Sequence, residues 1–517
     1  MICWLVLAVA VIAAFLVAAR VAFRPPSIRG RPHSRALPAS GATTLGRAVA
    51  ALCPTPGSSG AIPLWDGRDA LAARIALIQA AQQSIDLQYY VWQRDATGLQ
   101  LLGEVQKAAD RGVRVRLLLD DNGIAALDAD LAALNAHPWI EVRLFNPFIL
   151  RRARYLGFLF DFSRLNRRMH NKSFTVDGAV TIVGGRNVGD IYFAYGDGVH
   201  YIDTDVIGIG AIAADVAADF DRYWISGSSH PAERILAAPR ADAWQDLAAA
   251  AADAAATERW RAYGAGLGEG GPVADLLAGR ADIECVPIRL VSDHPAKGLG
   301  RARREQLLYP RLTRLIGSPQ RSLDVVSPYF VPGRGFTRSL VALARRGRRV
   351  RVLTNSQAAT DVLVVHSAYV RYRRRLLEAG VALHELKPNA ATPPPRAERD
   401  IRRRTVIGSA RASLHAKSLC IDGERVFIGS FNFDHRSLDL NTEMGILIDS
   451  PRMARRFDDG FAQGPAAQSY RPQLQGKALV WDDPGPPPAV LRVEPETTIF
   501  TRALLAFLGL LPFEWLL

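Results

Sequence analysis

The chain has 517 residues, 64 lysines and arginines against 50 aspartates and glutamates, a formal charge of +14, and 49% hydrophobic residues. That length and apolar fraction suit two to four domains with buried cores and exclude extended disorder. Four cysteines, Cys3, Cys53, Cys285 and Cys420, are too far apart for a disulfide framework or a cysteine zinc site, and the surplus of cations favours an anionic partner, either nucleic acid or a phospholipid surface.

Residues 2–19 carry no charge, and Arg20, Arg24, Arg29, Arg31 and Arg35 follow them. At about 1.5 Å rise per residue this stretch just spans a hydrocarbon core. A cleaved signal peptide is the alternative, but it would carry its positive residues before the apolar run. Residues 1–24 therefore read as an uncleaved membrane anchor that leaves the body of the protein in the cytoplasm, and residues 25–60 as a linker.

Residues 84–90 then read as a strand, 101–111 as a helix, and 113–119, after Gly112, as a second strand. The same order returns as a strand at 322–326, a helix at 337–346, Gly347 and a strand at 349–353. A third unit, Val142 to Pro147, matches Leu383 to Pro388 at nearly the same offset. Strands alternating with helices at a steady offset predict an α/β protein of two homologous lobes, 61–230 and 281–465, with mixed sheets flanked by helices and a pseudo-twofold axis between them. The alanine-rich 231–280 reads as a helical connection, and 390–404, with Pro393 to Pro395 and Arg402 to Arg404, as an exposed loop. Residues 466–517 form a C-terminal extension whose apolar end, 503–517, is too short to span a membrane and suits the headgroup interface.

After the third unit each lobe carries a glycine-punctuated hairpin. The first runs His170, Lys172, Asp177 and Gly178, then Gly184, Gly185, Arg186 and Asn187; the second runs His415, Lys417, Asp422 and Gly423, then Gly429, Ser430, Phe431 and Asn432. Both obey His-x-Lys-x4-Asp, a pattern expected by chance on the order of 0.01 times in a chain of this composition. On a strand, residues two apart share a face, so each lobe presents one imidazole with one ammonium. Two such edges brought together would clamp a phosphate. One neutral histidine would attack, one protonated histidine would donate to the departing alkoxide, and the lysines, with Asn187, Asn432 and Ser430, would hold the non-bridging oxygens. Only six of the 64 cations are lysines, and two of them stand in these motifs. That choice points to a compact ammonium where a guanidinium fork would not serve.

With its two His-x-Lys-x4-Asp motifs, the chain resembles the phospholipase D superfamily over most of its length. Within that superfamily it is similar to the bacterial cardiolipin synthases, on residues 85–92 (IDLQYYVW), 185–190 (GRNVGD), 431–437 (FNFDHRS), 295–300 (PAKGLG) and the ending FEWLL at 513–517. The resemblance implies a phosphohistidine intermediate with no metal and no cofactor, His170 as nucleophile and His415 as general acid. It implies a carboxylate orienting each histidine, matched here by Asp205 and Glu443, each preceded by threonine. It also implies that Asp177 and Asp422 support their loops.

The expected substrates are phospholipids, phosphatidylglycerol with phosphatidylethanolamine as a second candidate, at the bacterial inner membrane. The basic and aromatic stretch containing Arg151, Arg152, Arg154, Tyr155, Phe158, Phe160, Arg164, Arg167 and Arg168 suits an anionic bilayer surface. A phospholipase D hydrolase releasing phosphatidic acid shares the chemistry, and a membrane-tethered nuclease is the reading from another class. The two fused lobes and the apolar ends disfavour nucleic acid.

Overall fold

The structure, a computed structural model, describes all residues except 266–269, 389–411, 512–513 and 517. The loop expected at 390–404, and Phe513 and Leu517 of the apolar ending, lie outside the described residues.

Seven strands build the first lobe: β1 (Ser59–Leu64), β2 (Ser84–Val91), β3 (Arg114–Gly123), β4 (Ile140–Phe145), β5 (Ser173–Val176), β6 (Val180–Gly184) and β7 (Asp205–Gly210). Seven more build the second: β8 (Ile288–Ser292), β9 (Ser322–Val326), β10 (Arg349–Asn355), β11 (Ala382–Leu386), β12 (Ser418–Ile421), β13 (Arg425–Gly429) and β14 (Met444–Asp449). Across the sheets the orders are β1-β7-β6-β5-β2-β3-β4 and β8-β14-β13-β12-β9-β10-β11. The orders are the same, with the first sheet extended at its edges by Glu284–Val286 and Ser229–Pro231. In each lobe the strands joined by helical crossovers pair in parallel, and the hairpin that follows the motif pairs antiparallel. The duplication reaches single contacts. Arg116 binds Asp86 at 2.7 Å on β3 and β2, and Arg351 binds Asp324 at 2.7 Å on β10 and β9, both across parallel central strands.

One apolar cluster joins the lobes: Val183, Val206, Ile212 and Val216 of the first pack with Ile428, Met444 and Ile446 of the second. Helix Ala211–Trp224, which follows β7, lies against β8 of the other lobe. The alanine-rich segment forms helices Ala243–Ala256, Glu258–Gly264 and Pro272–Leu277, and the first of these covers helix Ala96–Asp110. The stretch read as a linker is packed onto the first lobe. Arg31 is buried and donates to the carbonyls of Ser226 and Ser229, and Trp224 donates its indole N–H to Ser34. It is tied down because carbonyls of the turn that follows helix Ala211–Trp224 need donors.

Helix Ile2–Ala22 is exposed over nearly its whole surface, has a mean hydropathy of 2.9 over its best window, and is the one described helix long and apolar enough to cross a membrane. At the other end, helix Ile499–Leu510 packs on helix Leu363–Glu378 and exposes Ile499, Phe500, Phe507 and Leu510. The basic stretch is mostly spent inside the protein: Arg151 and Arg154 pair with Asp121 and Asp128, Arg164 with Asp161, and the buried Arg168 with Asp120. This cuts back the expectation of a cationic bilayer surface there: of the arginines in the stretch Arg152 stays exposed, beside the exposed Tyr155, Leu156 and Leu159.

The motif aspartates close their hairpins. Asp177, at φ 51°, accepts from the backbone N–H groups of Gln82, Gln83 and Ser84, and Asp422, at φ 58°, from those of Gln320, Arg321 and Ser322. Each thereby fixes the entry to its lobe's central strand. Removing the fully buried Asp177 strands three amides, so Asp177→Ala is expected to cost about 3 kcal/mol, and Asp422→Ala, partly exposed, about 1–2 kcal/mol, with activity per folded molecule nearly kept. Thermal and denaturant melts of the two variants in detergent check the order; an activity loss without a stability loss would place these carboxylates in the chemistry instead.

Candidate active site

His170 and Lys172 stand just before β5, and His415 and Lys417 just before β12, in extended chain outside the sheet ladders. Their backbone bonds go across the lobe boundary. The His170 N–H donates to the Thr442 carbonyl at 2.8 Å, and the His415 N–H to the Ile202 carbonyl at 2.8 Å. Ala412–Leu414 runs parallel to His200–Ile202 as a two-stranded ribbon between the lobes, and Met169 makes the matching bridge to Thr442. Each motif is therefore anchored on the residue that precedes the other lobe's carboxylate.

Those carboxylates are Glu443 and Asp203. His170 Nδ1 lies 2.9 Å from Glu443 Oε2, and His415 Nδ1 lies 2.5 Å from Asp203 Oδ2. A carboxylate only accepts, so Nδ1 carries the proton in both rings and Nε2 keeps its lone pair. Asp205, expected beside a histidine, is instead bound to Arg74 at 2.8 Å and accepts from the Arg186 backbone N–H. The strand register explains the correction. Gly184 faces Asp205 across β6 and β7 while Gly429 faces Gly445 across β13 and β14, so the partner of Glu443 is Asp203. A slip of two residues keeps the same face of a strand, and a threonine precedes both Asp205 and Glu443, which made the wrong match look right.

Ser430 is also corrected. Its hydroxyl donates to Glu443 Oε2 at 2.5 Å and accepts from the Met444 N–H, so it braces the carboxylate and is not free for a phosphate. Gly185 holds the equivalent place, where a Cβ would come within 2.1 Å of Asp203 Oδ1. The shorter aspartate reaches its histidine by occupying the room that a serine side chain would fill. Asn187 is held by the Val91 N–H and by its own donation to the Tyr192 hydroxyl, which leaves a second amide proton unspent; Asn432 is buried with its Oδ1 unpartnered.

Lys172 and Lys417 are buried, each bonded to the carbonyl of its own histidine, Lys172 at 2.6 Å. A third lysine among the six, outside both motifs, also serves this network. Lys297 binds Asp293 at 2.8 Å and the Ser437 carbonyl, Asp293 accepts from the Glu443 N–H, and Ser437 Oγ donates to Glu443 Oε1. Its scarcity in the sequence was the available signal. Tyrosines close the rings in: Tyr90 lies 5.0 Å from His170, and Tyr192 and Tyr201 lie 5.3 and 4.8 Å from His415.

Burial lowers both imidazoles to about 4, with the lysines adding to the effect and the carboxylates opposing it. For Asp203 and Glu443 burial works against ionisation, but the histidines and lysines outweigh it and hold both carboxyls below their ordinary range. Burial lowers Lys417 to about 8 and Lys172 well below its ordinary value. The resting site thus has two neutral rings, each with a bare Nε2, between two buried lysines whose influence reaches both lobes. An anion placed there would offset the lysines and allow one ring to take up a proton.

A family model described as cardiolipin synthase, PLD-like domain, matches residues 75–224 and 312–464. Cardiolipin synthase C of Escherichia coli strain K12 is 45% identical over 479 residues, 92% of this chain and 99% of that protein. A cardiolipin synthase of Geobacillus kaustophilus strain HTA426 is 28% identical over 389 residues, 74% of this chain and 62% of the relative. The crystal structure of phosphatidylserine synthase from Haemophilus influenzae Rd KW20 superposes at a TM-score of 0.55 and 13% identity, over 91% of this chain and all of that one, a likeness of fold.

Asp203→Asn is expected to lower turnover at least about 100-fold with little change in melting temperature, because it disturbs the His415 tautomer. Asp205→Asn leaves Arg74 buried without its charge partner and is expected to cost about 3–5 kcal/mol of stability. Paired activity and melting measurements separate the two; the reverse pattern would return Asp205 to the site. Because both histidines titrate near 4 when folded and near 6.5 when unfolded, the unfolded chain takes up protons in that window that the native chain does not. Stability is therefore expected to fall as pH drops from about 6.5 to 4, with a shallower slope in the His170→Ala/His415→Ala double variant; calorimetry across that range, showing equal slopes, would refute the shift.

Proposed function

The chain belongs to the cardiolipin synthase family of phospholipase D-like proteins, and from that premise we propose the route by which it makes cardiolipin. It is a phospholipase D-type phosphatidyltransferase, associated with a membrane and acting on phospholipids. His170 Nε2 attacks the phosphorus of a phosphatidyl donor, the bond to the leaving alcohol breaks, and His415, protonated as the phosphodiester binds, gives its proton to the departing oxygen. A hydroxyl of phosphatidylglycerol then gives its proton to His415 and attacks phosphorus, forming cardiolipin and releasing His170. Phosphatidylglycerol as donor yields glycerol, and phosphatidylethanolamine yields ethanolamine.

The observation that carries this reading is the crossed orientation of the rings, with each histidine presenting Nε2 while the opposite lobe's carboxylate holds Nδ1–H. Lys172 and Lys417, with the unspent amide proton of Asn187, are the groups placed to hold the non-bridging oxygens. Burial of both rings, 7% and 6% exposed, supports transfer over hydrolysis, because an acceptor alcohol competes best where water is sparse. The anchor helix and the arginines that follow it support an inner-membrane site with the body in the cytoplasm.

Full-length protein in mixed micelles with phosphatidylglycerol, with and without phosphatidylethanolamine, is expected to give cardiolipin as the main product by mass spectrometry; phosphatidic acid alone would make it a hydrolase. With a p-nitrophenyl phosphatidate, whose leaving group needs no proton, His415→Ala is expected to keep a burst of nitrophenol and a phosphorylated His170 peptide, and His170→Ala to lose both. A phosphorylated His415 would reverse the two roles.

A further inference from the structure

Aligned by strand register, the two lobes differ sharply in one place beside the site. Behind His170 and Lys172 the first lobe seals Leu118, Phe145, Met169, Phe220, Tyr223 and Trp224 into a cluster in which none is more than 1% exposed. The corresponding positions of the second lobe are Leu353, Leu386, Leu414, Gly460, Gln463 and Gly464. The aromatic rings are gone, and a cavity of about 290 Å³ lies beside Ala416, the residue between His415 and Lys417.

Val326, Leu353, Leu414, Phe457 and Phe461 supply its apolar walls, and the buried Asp203 and Thr204 bound it on the side of the site. Trp65, which is 40% exposed, and the exposed Gly460 and Arg456 stand at its mouth. This is about twice the roughly 150 Å³ of an apolar cavity that stays dry and holds benzene. Protein interiors are otherwise close-packed, and a glycine within a helix such as Pro451–Gln463 is disfavoured against alanine. A cost kept at the position that opens the space calls for an occupant.

We propose that this cavity binds an acyl chain of a phospholipid, with the lipid's phosphodiester at Arg456. The apolar interior matches a saturated chain, and Arg456, exposed at the mouth with Asp282 nearby but no ion pair of its own among the described residues, supplies a cation for the lipid's anion. The proposal rests on the reading that the protein works on phospholipids at a bilayer, to which helix Ile2–Ala22 would tie it. A chain seated there lies against the Asp203 segment that orients His415.

The test uses full-length protein in lipid nanodiscs containing phosphatidylglycerol with a diazirine at the end of one chain, irradiated and mapped by mass spectrometry. Adducts are expected on Phe457, Phe461 and Trp65 in the wild type. They are expected to fall at least fivefold in Gly460→Trp, whose indole would compete with the chain for the space, and to persist in Gly460→Ala, since a Cβ at Gly460 meets nothing within 4 Å. Arg456→Ala is expected to lower labelling by phosphatidylglycerol but not by a diazirine diacylglycerol that lacks the phosphate. Adducts confined to helix Ile2–Ala22 and residues 155–162, or equal wall labelling in the wild type and a folded Gly460→Trp, would overturn the site. Should Gly460→Trp fail to fold, competition by a series of wild-type-bound phosphatidylglycerols decides. Each added methylene is expected to strengthen displacement about fourfold until the cavity is full, and a flat series would overturn the proposal. Turnover is not read, so labelled walls without cardiolipin would sink only the transferase reading, and cardiolipin with bare walls only this one.

Discussion

Two backbone hydrogen bonds govern this protein: His170 N–H to the Thr442 carbonyl and His415 N–H to the Ile202 carbonyl. Each ties a motif to the opposite half of the chain one residue before the carboxylate that the imidazole needs. The pseudo-twofold arrangement is therefore more than a docking of two finished lobes. The hairpins are built locally, by Asp177 and Asp422 gathering the amides at the entry of the central strands, but the rings are aimed from across the boundary. The shared apolar cluster and the ribbon between His200–Ile202 and Ala412–Leu414 keep that boundary closed.

The electrostatics follow from this geometry. Two lysines and two carboxylates are buried together, and the rings between them stay neutral because burial and the lysines outweigh the acids. The carboxylates are themselves braced, Glu443 by Ser430, Ser437 and the backbone that Asp293 and Lys297 hold, and Asp203 by the space that Gly185 leaves. A phosphodiester anion placed there would lie beside lysines already desolvated, and the proton that one ring takes up would balance its charge.

Much of this was legible in the residues. Alternating strand and helix patterns, the recurrence of whole units, and two copies of His-x-Lys-x4-Asp were enough for the α/β class, the duplication into lobes and the two histidine-lysine pairs, and Glu443 stands where the resemblance put a carboxylate; the order of strands across each sheet was not read from them. What was hidden depends on pairing between distant segments. Asp203 and Asp205 share a face, and only the β6–β7 register tells them apart. Ser430 looked like a free hydroxyl until Glu443 came in from just before β14, and Arg151, Arg154 and Arg168 looked like part of a surface patch because Asp120, Asp121 and Asp128 stand 23 to 48 residues upstream. Tyrosine rings around the histidines carry no pattern that a linear reading would single out.

The crossed anchoring has a consequence for how the protein comes into being. As the polypeptide leaves the ribosome, the apolar helix at its start emerges first and the first lobe's strands soon after, yet His170 has nothing to orient it until Glu443 has been made. Until then the chain carries only one of the two halves that build the site, and the ring is aimed only when Glu443 and the strand after it have closed against the first lobe.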